Sequence, residues 1–384
     1  MSVFSYSTHA RAVPLRQKLH EINWTLVILI TLIACAGFAM LYSAAGGSFS
    51  PWAARQMIRF CFGFVILVAV ACVDLRVWMG LAYPAYVFSL LLLVAVEVAG
   101  RVGLGAQRWI EFGPLALQPS ELMKIALVLA LARYLHGLDP GAISRPLRLA
   151  VAVAMIGAPV VLVLLQPNLG TATLLALCGA LLLFLAGLSW YWIAPTAAAV
   201  AVAIPMAWEF ALHDYQKARV MTFLNPDTDA LGAGWNITQA KIALGSGGII
   251  GKGFLMGTQS RLNFLPEKET DFIFTMVGEE FGFLGTIALL AMFVVVIYYG
   301  IQIAMRSRSQ FGRLLAMGIT VNFFLYIMIN GLMVMGLIPV VGIPMPLISY
   351  GGSAMMTVMF GFGLLMSAHV HRRVDVPRHS SGMI

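Results

Sequence analysis

Long apolar runs, broken by short polar punctuation, set the pattern of this chain. Runs of spanning length, roughly 17–25 residues, fall near 24–44, 57–73, 78–99, 119–136, 148–166, 170–188, 190–210, 272–302, 314–337 and 349–369. The pattern predicts an all-α polytopic membrane protein of about ten transmembrane helices. One long polar stretch, about 211–270, separates the seventh run from the eighth. A connection that long is usually functional or disordered. Trp235, Pro266, a glycine cluster and several apolar residues favour a folded loop lying on the membrane. No soluble domain interrupts the runs, so residues 1–384 read as a single membrane domain containing that loop. The first run, Trp24 to Tyr42, is too long for the core of a cleavable signal and lacks a small-residue cleavage site.

Composition points the same way. The chain is 60% hydrophobic and 10% charged, with a mean hydropathy of +0.90. Soluble domains run near 45–50% apolar and about 25% charged, so lipid must be the solvent here. Cys35, Cys61, Cys72 and Cys178 all lie inside apolar runs without paired spacing, which reads as packing. A net charge of +8 would suggest nucleic acid in a soluble protein. In a membrane protein the sign of each loop matters more, and no nucleic-acid partner is expected.

With ten spans the termini share a side. The N-tail carries Arg11, Arg16 and Lys18, the C-tail Arg372, Arg373 and Arg378, and the short loops on that side are basic too. The positive-inside rule therefore predicts cytoplasmic termini and an outward-facing long loop. Eleven basic residues are then left on the outer side, among them Arg108, Lys124, Arg219, Lys241, Arg261 and Lys268. Long loops translocate regardless of charge, which accounts for about half of them. An anionic ligand on the outer face is the other explanation, since Lys and Arg are the usual phosphate binders.

Ionisable residues at membrane depth are functional candidates by default. Pro119 opens the fourth span, where its missing N–H costs nothing. Glu121 and Lys124 follow at i, i+3 on one face. They form either a structural pair or a phosphate-neutralising lysine held by its carboxylate. Arg108 beside Trp109 is an interfacial anchor or a head-group contact. At the eighth span, Pro266 stops the loop and an apolar run begins directly after Asp271. Thr270 or Asp271 can cap that helix. Alternatively Asp271 is a partly desolvated carboxylate suited to general-base work. Glu279 and Glu280 lie two turns deeper, where at least one should face a cavity or a cation.

The glycine-rich run 244–253 lacks the spacing of a phosphate-binding loop and suits close backbone packing. Residues 338–346, followed by Ser349-Tyr350-Gly351-Gly352-Ser353, form a rigid turn. Such backbone is tolerated at membrane depth only when buried in protein or lining a cavity. The histidines form no metal set, and no Ser-His-Asp arrangement is present.

Taken in order, GAQRW (105–109), QPSELMK (118–124), QPNLGTA (166–172), KARVMTFLNPDTD (217–229), KIALGSGGIIGKGF (241–254), FLPEKETDFIF (264–274), GEEFGFLG (278–285) and GLIPVVGIPMPLISYGGS (336–353) resemble the SEDS family of shape, elongation, division and sporulation proteins. Ile22-Asn23-Trp24 and the short basic tail look more like its elongation branch than its division branch. Three positions depart from the family pattern: Asn168 replaces a usual Asp, Ala240 a usual Ser and Leu332 a usual Gly.

The resemblance implies a peptidoglycan glycosyltransferase of the bacterial cytoplasmic membrane that polymerises lipid II on its outer face. It implies Asp271 as the essential aspartate. It also implies a class B penicillin-binding protein as partner, within a complex including MreC, MreD and MreB. The chemistry needs one base for the attacking hydroxyl and positive charge for the departing diphosphate. Lys124, Arg108, Arg219 and Lys241 are the candidate cations. Glu121 and Ser349 complete the expected substrate contacts. A divalent cation, Mg or Mn, could share the work. Two rivals fit many of the same residues: a lipid II flippase or transporter, and a scaffold for the penicillin-binding partner. A division-type polymerase is the alternative within the family.

Overall fold

The structure, a computed structural model, describes residues 14–99, 101–103, 106–112, 115–139, 141–210, 214–225, 233–262, 264–265 and 267–374. A short α1 (Leu15–Glu21) precedes α2 (Trp24–Ala44), α3 (Ala53–Cys72), α4 (Leu75–Ala99), α5 (Pro119–His136), α6 (Pro146–Leu165), α7 (Leu169–Leu185) and α8 (Trp190–Phe210). The stretch 211–270 contains α9 (Asp214–Leu224), α10 (Ala233–Ser246) and the single turn α11 (Thr258–Arg261). Helices α12 (Ile273–Arg306), α13 (Gln310–Val334) and α14 (Gly352–Val370) follow. Each predicted span thus contains a helix. Seven of them, α2, α3, α4, α6, α12, α13 and α14, cross a bilayer by length and composition. The other three are helices of a different make. Helix α5 carries Glu121, Lys124 and Arg133, α7 has 17 residues, and α8 contains Pro195 and Pro205.

Helix starts follow local chemistry. Pro119 and Pro146 occupy first-turn positions, where proline loses no hydrogen bond. Asn23, Asn168 and Ser309 accept backbone N–H groups of Leu26, Thr171 and Gly312. The Asn168 departure therefore leaves this cap intact, because Asn caps as well as Asp.

Residues 101–117 differ from expectation. They form three short antiparallel strands, β1 (Arg101–Gly103), β2 (Ala106–Phe112) and β3 (Leu115–Leu117), in the order β1-β2-β3. Between two helices at a membrane boundary, paired strands satisfy backbone groups that lipid cannot.

Burial runs opposite to hydropathy at the extremes. Helices α6 and α12, with mean hydropathy 2.4 and 2.5, bury 22% of their spans, whereas α13 and α14, at 1.7 and 1.5, bury 72%. Apolar side chains such as Phe62, Leu91, Leu147 and Val294 point outward, as expected where the surrounding solvent is hydrocarbon. The interior holds α5, α13 and α14, whose faces mix small and polar residues. Helix α14 packs along α3: Gly63 abuts Met359, Gly363 abuts Val70, and Ser367 Oγ donates to Val73 O at 2.8 Å. At the same end, Arg372 pairs with Glu21 at 3.0 Å and Lys18 donates to Cys72 O at 2.8 Å.

Helix α12 is broken. Gly282 adopts φ 65°, ψ −161°, a region essentially reserved for glycine. The break frees the carbonyls of Glu279 and Glu280. They accept the N–H groups of Lys252 and Gly253, each at 3.0 Å. In return Phe283 and Leu284 donate to Gly248 O and Ile249 O at 2.9 and 3.0 Å. The glycine-rich run 245–253 is thus laid backbone to backbone on the break. A Cβ at Gly282 would collide with Gly251 N and Ile249 O, whereas one at Gly245 meets open space. Gly282→Ala is expected to cost roughly 2–4 kcal/mol, and Gly245→Ala almost nothing. Melting temperatures of the purified variants check this pair; equal melting would show that the break tolerates a side chain.

Candidate functional site

Asp271 lies on the turn 267–272 that leads into α12. The capping expectation fails here. Phe272 is the N-cap of α12, and no side chain caps the helix. The turn closes on itself instead, with Thr270 N and Phe272 N donating to Glu267 O at 3.1 and 3.3 Å. The Asp271 carboxylate faces the other way, toward Gly342: a Cβ there would lie 3.4 Å from Asp271 Oδ2. Asp271 is only 8% exposed.

The turn is stitched to the irregular segment 335–351. Asn330 Nδ2, on α13, donates to both Asp271 O (2.9 Å) and Ile343 O (2.8 Å). Ser349 Oγ donates to Thr270 O at 2.5 Å and accepts from Met345 N at 2.8 Å. Tyr350 N donates to Glu269 O at 2.7 Å. Gln56, buried on α3, donates to Ser349 O at 2.9 Å. Arg59, one turn along, stands over the Tyr350 ring at 4.7 Å. Glu267 and Leu347, one in each of the two framing segments, have φ of 53° and 69°. Each left-handed residue costs about 1–3 kcal/mol and persists only where its surroundings over-determine it. Burial pushes the Lys268 ammonium below the usual lysine range, against the pull of neighbouring Glu269.

Glu121 and Lys124 form a buried pair at 2.6 Å, 4% and 2% exposed. Tyr326 of α13 closes it. Its hydroxyl donates to Glu121 Oε2 at 2.8 Å and accepts from Lys124 Nζ, which also lies 4.3 Å from the ring centroid. Tyr326 and Asn330 are four residues apart, so they share one face of α13. The same helix face therefore holds the ion pair and, one turn on, the Asp271 backbone. Ser349 likewise acts on the backbone of the Asp271 turn. Lys241, on α10, is exposed, and its Nζ lies beside Gly336 at the end of α13. Arg108 lies on β2 and Arg219 on α9; their side chains fall outside the described residues.

Glu279 and Glu280 take structural partners. Glu279 Oε1 accepts from Lys252 Nζ, Thr258 N and Gln259 N at 2.8, 2.7 and 3.0 Å. Glu280 is held by Ser43 Oγ of α2 and by Leu255 N. Among the described residues no three of His, Cys, Asp and Glu converge as a metal cage. An apolar groove of about 320 Å³ runs between α7, α13 and residues 338–341, lined by Leu169, Leu177, Met328, Leu332 and Val341. It ends next to Gly342, the residue facing Asp271.

Asn330, Gln56 and Tyr326 were not singled out by sequence. The available signal was each one's polarity within an apolar run, and for Tyr326 and Asn330 the spacing of four.

The sequence pattern of a family described as FTSW_RODA_SPOVE, Cell cycle protein, matches residues 20–374. The peptidoglycan glycosyltransferase MrdB of Escherichia coli (strain K12) is 48% identical over 280 residues, covering 73% of this chain and 75% of that protein. Two solved structures share the architecture. One comes from work on a peptidoglycan synthase complex that coordinates polymerization and crosslinking; it superposes with a TM-score of 0.80 at 32% identity, over 91% of this chain and 98% of that one. The other is Thermus thermophilus rod shape determining protein RodA, with a TM-score of 0.70 at 29% identity, over 92% and 98%.

Proposed function

Since this chain belongs to the FtsW/RodA/SpoVE family and is a multi-pass membrane peptidoglycan glycosyltransferase, we propose that it polymerises lipid II for cell-wall elongation with Asp271 as general base. The observation that carries this reading is the way Asp271 is held. Two elements, α13 through Asn330 and the segment 335–351 through Ser349, hold the backbone of its turn, while its carboxylate turns to a glycine that leaves room beside it. A buried carboxylate on a rigid backbone, next to an apolar groove, is what a base acting on a lipid-linked sugar requires.

The acceptor 4-hydroxyl attacks C1 of the donor sugar. The C1–O bond to the diphosphate breaks with inversion, and its electron pair leaves on the diphosphate. The proton of the attacking hydroxyl passes to Asp271. No acid is needed for the leaving group, because diphosphate departs readily as an anion. Lys241, Arg108 and Arg219 are the cations assigned to it. Lys124 is a positioning residue, because its ammonium is already bonded to Glu121 and Tyr326. The apolar groove takes a polyprenyl tail. A divalent cation bound with the diphosphate would add positive charge for its departure. The termini face the cytoplasm and Asp271 the outer leaflet, in keeping with the Lys/Arg bias. The partner that cross-links the product is a class B penicillin-binding protein, within a complex including MreC, MreD and MreB.

Reconstitution in vesicles with labelled lipid II tests the reading. Glycan polymer should form without ATP or an ion gradient. Translocation of lipid II without polymer would overturn it in favour of a flippase.

A further inference from the structure

Residues 343–351 run as an irregular strap along the Asp271 turn, and the strap is held from three helices. Asn330 of α13 takes one end through Ile343 O. In the middle, α2 comes so close that a Cβ on Gly37 would meet Ile348 Cα at 2.7 Å and Leu347 O at 2.8 Å. At the other end α3 supplies Gln56. Its Nε2 donates to Ser349 O at 2.9 Å, and its Oε1 accepts from Gly351 N at 3.4 Å. Both ends of the amide are used, so its orientation is fixed. Turned over, it would set N–H against N–H and oxygen against oxygen.

The strap passes this hold on to the turn. Ser349, whose carbonyl Gln56 takes, uses its hydroxyl to donate to Thr270 O at 2.5 Å. Tyr350 N, between the two atoms that Gln56 binds, donates to Glu269 O at 2.7 Å. Thr270 and Glu269 are the two residues before Asp271. Gln56 itself is 0% exposed, on a helix that turns Met57, Ile58, Phe62 and Val65 outward. A buried amide is costly unless bonded, and this one bonds the backbone that carries the turn. It does not line the apolar groove assigned to the polyprenyl tail.

Resting on the reading of Asp271 as base, we infer that Gln56 is a positioning residue for glycosyl transfer. Through Ser349 and Gly351 it sets where the turn holds the carboxylate, and, enclosed by protein, it touches no substrate. A base misplaced by about 1 Å costs on the order of 10²-fold in rate, so slack in the strap should appear in turnover and not in substrate affinity.

Gln56→Met tests this, because Met nearly conserves the length and volume of Gln and removes both bonds. Initial polymerisation rates are measured against lipid II concentration with the full-length protein in vesicles, well below its melting temperature, and are expressed per folded molecule. The value of kcat should fall about 10–100-fold while KM stays at the wild-type value. Gln56→Asn keeps the amide but falls one methylene short. It should show the same split, and it carries the test where the Met variant does not fold. A purely structural role would lower the melting temperature and leave the rate per folded molecule unchanged. That result, or a raised KM at unchanged kcat, overturns the inference. Normal polymerisation by Asp271→Asn would sink the base assignment, whereas a wild-type kcat in Gln56→Met sinks the role of Gln56 alone.

Discussion

Asp271→Asn is expected to abolish glycan polymer formation from lipid II while leaving the protein folded in the membrane. Asn has nearly the shape of Asp, so the packing against Gly342 survives. The contacts that stitch the turn to α13 and to segment 335–351 are to backbone atoms of residues 269, 270 and 271, which the substitution does not touch. The melting temperature should therefore move little, because the substitution conserves side-chain volume. What is lost is the basicity of one carboxylate. Removing a general base costs about 10²–10⁴-fold in rate, enough to eliminate polymer in an ordinary gel assay. A purified variant that polymerises at the wild-type rate would exclude Asp271 as base. A variant that fails to insert would show instead that the carboxylate stabilises the fold.

The second large effect concerns Lys124. Lys124→Ala strands Glu121 as a buried charge with, among the described residues, only the Tyr326 hydroxyl for company. Breaking one side of a buried pair typically costs 3–5 kcal/mol, whereas replacing both sides with apolar residues of similar size is often neutral. So Lys124→Ala should give poor yield and a lowered melting temperature, and Glu121→Leu with Lys124→Met should recover both. Polymerisation should return with stability in the double variant, because the pair acts through α13 on the Asp271 backbone. A stable but inactive double variant would give Lys124 back its place as a phosphate ligand.

Much of this architecture was visible in the apolar runs, because helix length and hydrocarbon thickness are tied together. The strands at 101–117 were hidden, since their side-chain alternation is brief and sits between two strong helix signals. The site was legible where it broke a rule. Asp271 and the Glu121–Lys124 spacing stood out because charge is costly at that depth. Asn330 and Gln56 did not, since an uncharged amide in a helix is a weak signal, and their partners are backbone atoms 59 and 293 residues away in sequence. The break in α12 was foreshadowed only by a glycine. Its cause, the docking of run 245–253, is a tertiary contact that periodicity does not encode.

The packing of α14 on α3 bears on how the protein is made. Gln56 waits for a carbonyl 293 positions later, and the faces that receive Met359 and Gly363 wait as long. At about 5–20 residues per second, roughly 15–60 s pass between the emergence of the two halves. Through that interval α3 holds a polar amide in the bilayer with no final partner. Biogenesis thus has a built-in vulnerable window, in which the insertion machinery or a neighbouring lipid head group must shelter the unfinished face. Truncation before α14 should expose that face permanently and send the chain to membrane proteolysis rather than leave a stable fragment.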